Sequence, residues 1–111
     1  MLRVLNSGKR HPTAVLTSND LTAIGAMGAI HEKGLRIPED ISVIGFDGIE
    51  LSAYTQPALT TLAVPRTELA EKAFRCLLQR NEDGEEATGS QEYVVVPRLV
   101  IRGSTAPLAW G

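Results

Sequence analysis

Two side chains, Asn19 and Asp47, stand where a carboxylate and an amide could grip a polar ligand together. Each lies at the carboxyl end of a predicted strand, residues 13–18 and 41–47, and one crossover helix joins the two. In open α/β sheets, ligands bind outside the carboxyl ends of the strands. If the two strands pair directly, they run ~4.8 Å apart, close enough for both groups to reach neighbouring hydroxyls of one sugar or nucleoside. The amide donates and accepts, whereas the ionised carboxylate only accepts. Gly48 leaves the backbone after Asp47 bare, so a ligand can come close. The plainer account is an N-cap asparagine and a turn aspartate, and residue types alone leave both open.

Other chemistry finds little support. There is no Gly-x-Gly-x-x-Gly and no P-loop, and Gly25 and Gly28 fall inside a helical pattern rather than at its entry. Ser18 and Ser42 have no neighbouring histidine, and His11 and His31 do not read as a metal pair. Cys76 is the single cysteine, which excludes an internal disulfide and a cysteine-built zinc cage. It lies beside an apolar stripe and reads as packing rather than as a nucleophile. The 11 basic and 13 acidic residues leave a net charge of −2, which speaks against nucleic-acid binding by these residues themselves. No apolar run approaches the ~20 residues of a membrane span. The default is a soluble cytoplasmic protein, and no cofactor is called for. Its 111 residues suffice for one small domain, and 43% hydrophobic with 22% charged residues is ordinary globular composition.

The elements that must hold Asn19 and Asp47 follow from periodicity. Ile41, Val43, Ile44 and Phe46 form a β-branched apolar run between Pro38 and Gly48, which fits a central strand buried on both faces. Asn19 can cap a small-sided helix from Asp20 to about Lys33, with Gly34 as its stop. Asp20, at the first helical position, suits the positive end of the helix dipole. Residues 59–64 make a third strand, stopped by Pro65. Thr67 could cap a second helix to about Arg80, whose stripe is Leu69, Ala70, Ala73, Phe74, Leu77 and Leu78. Residues 81–91 read as a solvated acidic loop, Tyr93–Val96 and Leu99–Arg102 as strands broken by Pro97, and Trp110 as tail packing. Strands alternating with helices predict an α/β fold with a largely parallel sheet flanked by helices.

The set Ser18-Asn19-Asp20, Ile37-Pro38-Glu39-Asp40-Ile41-Ser42-Val43-Ile44-Gly45-Phe46-Asp47, Pro57-Ala58-Leu59-Thr60-Thr61 and Arg102-Gly103-Ser104-Thr105 resembles the end of a lactose/galactose-repressor (LacI/GalR) transcription regulator. The match runs in register from about Pro12 to Pro107. It implies a periplasmic-binding-protein-like sensor of two α/β lobes with a ligand cleft between them, preceded by a helix-turn-helix headpiece. On this resemblance, residues 1–64 are the core of the C-terminal lobe. Residues 65–97, with the helix at about 67–80, belong to the N-terminal lobe of the parent, and residues 98–111 are a return strand and tail.

The resemblance implies effector contacts at Asn19 and Asp47, the same pair that the strand-end argument selects, and at Arg66, where residues vary with the ligand. It implies homodimer contacts at Ile24 and Tyr54. The partners implied are a small-molecule effector, a sugar or related metabolite, a second copy of the chain, and operator DNA through the headpiece. Neither the headpiece nor the family's usual effector-gripping arginine lies in these residues, and Gly103 stands where a charged residue is common, so a C-terminal fragment is expected. The competing readings are a periplasmic sugar-binding transport protein of the same fold and a small α/β enzyme.

Overall fold

In the computed structural model the order of elements is α1 (Leu2–Leu5), β1 (Ala14–Leu16), α2 (Asp20–Glu32), β2 (Ser42–Asp47), a 3-10 turn (Glu50–Ala53), β3 (Thr60–Ala63), α3 (Arg66–Asp83) and β4 (Arg98–Val100). The structure describes residues 1–84 and 92–109. Most of the expected acidic loop and Trp110 lie outside the described residues. The chain divides into two compact units, Met1–Ala63 with Leu99–Gly111, and Val64–Arg98.

The first unit is the sheet and its helix. The strands lie in the order β1-β2-β3-β4, with β1 parallel to β2 and β2 parallel to β3. The register sets Val15 against Val43, Leu16 against Ile44 and Gly45 against Thr61. α2 packs on β2, and α1 packs on α2. Ala23, Met27, Ile30, Ile37, Ile41, Val43 and Leu59 make one buried cluster. Burial of each large side chain there is worth about 1.5–3 kcal/mol. Of the small residues of α2, Ala23 and Ala26 are buried and serve close packing, whereas Gly25 and Gly28 are exposed.

β2 departs from the expected burial on both faces. Val43 and Gly45 are buried, while Ile44 and Phe46 are only half-buried. The cause is that α2 covers the face carrying Val43, Gly45 and Thr61. Ser104 closes the amino ends of β2 and β3: its amide donates to the Ala58 carbonyl at 2.9 Å and its hydroxyl to the Val43 carbonyl at 2.6 Å. In return, the Ser104 hydroxyl accepts from the Thr60 amide at 2.8 Å, and the Ser104 carbonyl accepts from the Val43 amide at 2.9 Å.

The ends of α2 form as the sequence indicates. Asn19 Oδ1 accepts from the Thr22 amide at 2.8 Å, the standard N-cap bond. At the other end Gly34 has φ +70, and the amides of Gly34 and Leu35 donate to the carbonyls of His31 and Ile30. That pair of bonds is a Schellman stop, which needs a left-handed residue at this position.

The second unit is dominated by α3. Thr67 does not cap it: the helix starts at Arg66, after Pro65, with no side-chain cap bond. Pro65 already holds a helix-compatible φ of −74, and its carbonyl accepts from the Leu69 amide at 3.0 Å, so the cap position falls two residues early. The expected strand at Tyr93–Val96 is also absent; residues 92–97 carry no regular structure, and β4 begins only at Arg98. A β-branched run without a ladder partner has nothing to satisfy its backbone groups as a strand.

Candidate functional site

Parallel pairing of β1 and β2 brings the two predicted site residues to the same end of neighbouring strands. The last registered pair is Leu16 with Ile44, and Asn19 and Asp47 each lie three residues further on. The chain past β1 stays fastened to β2. The Thr17 amide donates to the Ile44 carbonyl at 3.0 Å, and the Thr17 hydroxyl is shared between the carbonyls of Asn19 (2.9 Å) and Ile44 (3.2 Å). Asn19 is thus both a cap and a strand-end residue. Its oxygen serves α2, which leaves its NH2 group as the natural donor to a ligand.

Asp47 is the one described non-glycine residue with a positive φ, +116. A β-carbon in that region clashes with its own backbone, at a cost of about 1–3 kcal/mol, and such strain concentrates at functional sites. The next residue, Gly48, has φ +73, and a Cβ there would come within 2.6 Å of the Ala63 Cα. The strand end therefore turns through two unusual residues, and only the second is glycine.

Asp20 holds this turn in place, a role that its sequence position did not reveal. Its carboxylate is fully buried. Oδ1 accepts from the Thr61 hydroxyl on β3 at 2.6 Å, and Oδ2 accepts from the Ile49 amide, just past the Asp47-Gly48 turn, at 2.8 Å. A Cβ on Gly45 would collide with Oδ1, so the bare position in the middle of β2 makes room for the carboxylate. Thr61, one of two threonines in β3 and set opposite Gly45, was the available signal. From Ile49 the bonding continues outward. Ser52 donates its hydroxyl to the Ile49 carbonyl at 2.6 Å, and Arg102 Nη1 donates to Ser52 Oγ and to the Leu59 carbonyl, both at 2.8 Å.

The other named residues belong to other parts of the chain. Arg66 opens α3, in the second unit, with an exposed side chain. Ile24 is half-buried and lies outside the core cluster, and Tyr54 is 75% exposed after the 3-10 turn. A Cβ on Gly25 or Gly28 would meet nothing, so α2 keeps an open, small-sided outer surface. A depression of about 340 Å³ lies at the amino ends of β1 and β2, bordered by Thr13, Ser42 and Thr105, at the opposite end of the strands from Asn19 and Asp47. Cys76 hydrogen-bonds the Tyr93 hydroxyl, which raises the Tyr93 phenol above its ordinary range. Among the described residues no group of three or more histidines, cysteines and acids could hold a metal ion, and no helix is long and apolar enough to cross a membrane.

A periplasmic binding protein-like domain matches residues 1–105. The HTH-type transcriptional repressor PurR of Klebsiella pneumoniae is 46% identical over 106 residues, covering 96% of this chain and 30% of the repressor. Among solved structures, the lac repressor dimer bound to operator and the anti-inducer ONPF superposes with a TM-score of 0.82 at 40% identity, over 94% of this chain and 35% of that one. A LacI family transcriptional regulator from Enterococcus faecium with bound ribose gives 0.74 at 38% identity, over 87% and 35%. The chain spans about a third of the length of these relatives. It belongs to the periplasmic binding protein-like domain family, and it is similar to the corresponding part of lactose/galactose-repressor-type regulators.

Proposed function

We propose that this chain is the effector-sensing and dimerising part of a DNA-binding transcription regulator, working in the cytoplasm on a sugar or similar small polar metabolite. The observation that carries the reading is that Asn19 and Asp47 lie at the same end of two neighbouring parallel strands, with Asp47 held in a strained backbone. Asn19 donates to a ligand hydroxyl from its NH2, and Asp47 accepts from an adjacent one. Arg66 enters as a third contact on the resemblance alone. Support for a sugar comes from the Enterococcus faecium regulator with bound ribose, and support for operator control from the lac repressor complex and the PurR repressors. Those relatives are regulators, which favours this reading over a transport protein and over an enzyme. Residues 65–97 would belong to the N-terminal lobe of the whole protein, so the cleft is complete only there. Operator binding falls to a helix-turn-helix headpiece. Ile24, among the open glycines of α2, and the exposed Tyr54 are the homodimer contacts, a self-complementary surface of the kind a two-fold axis requires.

Calorimetry on the whole protein with D-ribose and a panel of other pentoses and hexoses tests the site. Saturable binding that is lost in Asp47→Asn is the expected result. These 111 residues alone should bind more weakly than about micromolar, because they hold only part of the cleft. Equal affinity of the whole protein and this chain would contradict the two-lobe site.

A further inference from the structure

We propose that Asp20 is the positioning residue of the effector site: without touching the ligand, its buried carboxylate sets the spacing between Asn19 and Asp47. The inference rests on the functional reading above and adds to it the residue on which ligand affinity depends from beneath. Asp20 follows Asn19 directly and moves with the first turn of α2. Its two oxygens reach two other elements, Thr61 on β3 and the Ile49 amide beyond the Asp47 turn. One carboxylate thereby joins the element bearing the amide to the element bearing the acid. No neutral side chain of the same shape does this equally well. An asparagine could turn its oxygen to the Ile49 N–H and its NH2 to the Thr61 hydroxyl, but it gives up the charge that makes both bonds to the carboxylate strong. Bonds to a charged group are the stronger kind, so with neutral ones the turn is held less firmly and shifts. A Cβ on Gly45 would collide with the carboxylate, which shows how closely this corner is packed, and Asp47 nearby in sequence holds a positive φ. Strain of that kind persists only where the surroundings over-determine it.

The test compares wild type, Asp20→Asn and Thr61→Val in the whole protein, labelled with 13C and 15N. Thr61→Val removes one of the two donors at nearly constant shape and carries the test if Asp20→Asn does not fold. Three readouts are taken: the melting temperature, the side-chain resonances of Asn19 and Asp47, and the Kd for D-ribose in the folded fraction. The expected result is displaced Asn19 and Asp47 resonances, faster amide exchange at Ile49, and a Kd raised by about 10- to 100-fold, the loss of one charge-assisted hydrogen bond. A lowered melting temperature with unmoved resonances and unchanged Kd would make Asp20 a plain core residue and overturn the proposal. If D-ribose binds no form while the resonances still move, the positioning role stands and the sugar reading falls.

Discussion

α2 and α3 invert the usual relation between pattern and burial. α3 has the clearer stripe, with Leu69, Phe74, Leu77 and Leu78 on one side and charge on the other. All four are nonetheless exposed, Phe74 at 62%. α2 is apolar and small-sided nearly all round, with no strong contrast between faces, and it buries Ala23, Ala26, Met27 and Ile30. Amphipathicity states that a helix requires a cover; it does not say that the cover lies within the same stretch of chain. A helix of small residues can pack closely with hardly any stripe, because closeness replaces contrast.

The largest effect separates the two helices by truncation. Ile30 is fully buried in α2, so Ile30→Ala should destabilise the chain by up to about 5 kcal/mol, the transfer loss plus the cavity. Leu77→Ala on the exposed stripe of α3 should cost no more than about 0.5 kcal/mol in the same chain. Urea melts of both variants check this. Equal losses would show that α3 is covered in solution, by another copy of the chain or by a different position of the helix, and would end the contrast.

The outward surface of α2 sharpens it next. Ile24 stands outside the core cluster, beside Gly25 and Gly28, whose missing side chains leave open space. If two α2 helices meet across a two-fold axis there, Ile24→Asp sets two carboxylates face to face and should weaken the dimer by about 3 kcal/mol. Sedimentation should then show a folded monomer. A chain unfolded by circular dichroism would assign Ile24 to its own core, and an undisturbed dimer would remove α2 from the interface.

The same contrast marks where the sequence could be read. β2 was legible because an apolar β-branched run bounded by breakers has few alternatives, and its carboxylate end pointed to Asp47. α2 was legible from its ends, Asn19 and Gly34, rather than from its faces. Asp20 was not, because its partners Thr61 and Ile49 come 41 and 29 residues later, and no local pattern links them. Tyr93–Val96 was misread because β-propensity describes fitness for a sheet and cannot supply the neighbouring strand. The positive φ of Asp47 was also hidden, since a strained backbone is imposed by what surrounds it and leaves no mark in residue type.

That strain gives a smaller prediction of opposite sign. Asp47→Gly relieves the φ of +116 and, if nothing else changed, should stabilise the chain by about 1 kcal/mol, offset in part by the greater freedom of glycine in the unfolded chain. Sugar binding by the whole protein should be lost in the same variant. Thermal melting and calorimetry on one preparation check both. A destabilised Asp47→Gly would mean that the Asp47 carboxylate holds the turn together, and its part in the site would then be structural.

The smallest effect compares an ion pair in each unit. In α3, Lys72 meets Glu68 through a single contact of 3.1 Å, an i,i+4 surface pair of the usual modest kind. In the turn after α2, Arg36 holds Asp40 through two guanidinium bonds of 3.0 Å and a backbone N–H bond of 2.8 Å. Those bonds, first that from the Arg36 side chain and then that from its backbone, lower the Asp40 carboxyl from 3.8 to about 2. The folded value lies below the unfolded one, so the unfolded chain binds the proton more readily as the medium is acidified. The contribution of Asp40 is therefore fully present above the ordinary carboxylate range and is lost as pH falls through that range toward about 2. Solvent screens both groups, so the effect on melting is small. It is visible in the difference between wild type and Asp40→Asn, which should be constant near neutrality and close by about pH 2. Glu68→Gln, which breaks the single contact in α3, should change the melting point less at neutral pH. A carbon-detected titration placing Asp40 at its ordinary value would show that the fork from Arg36 opens in solution, and the two pairs would then be alike.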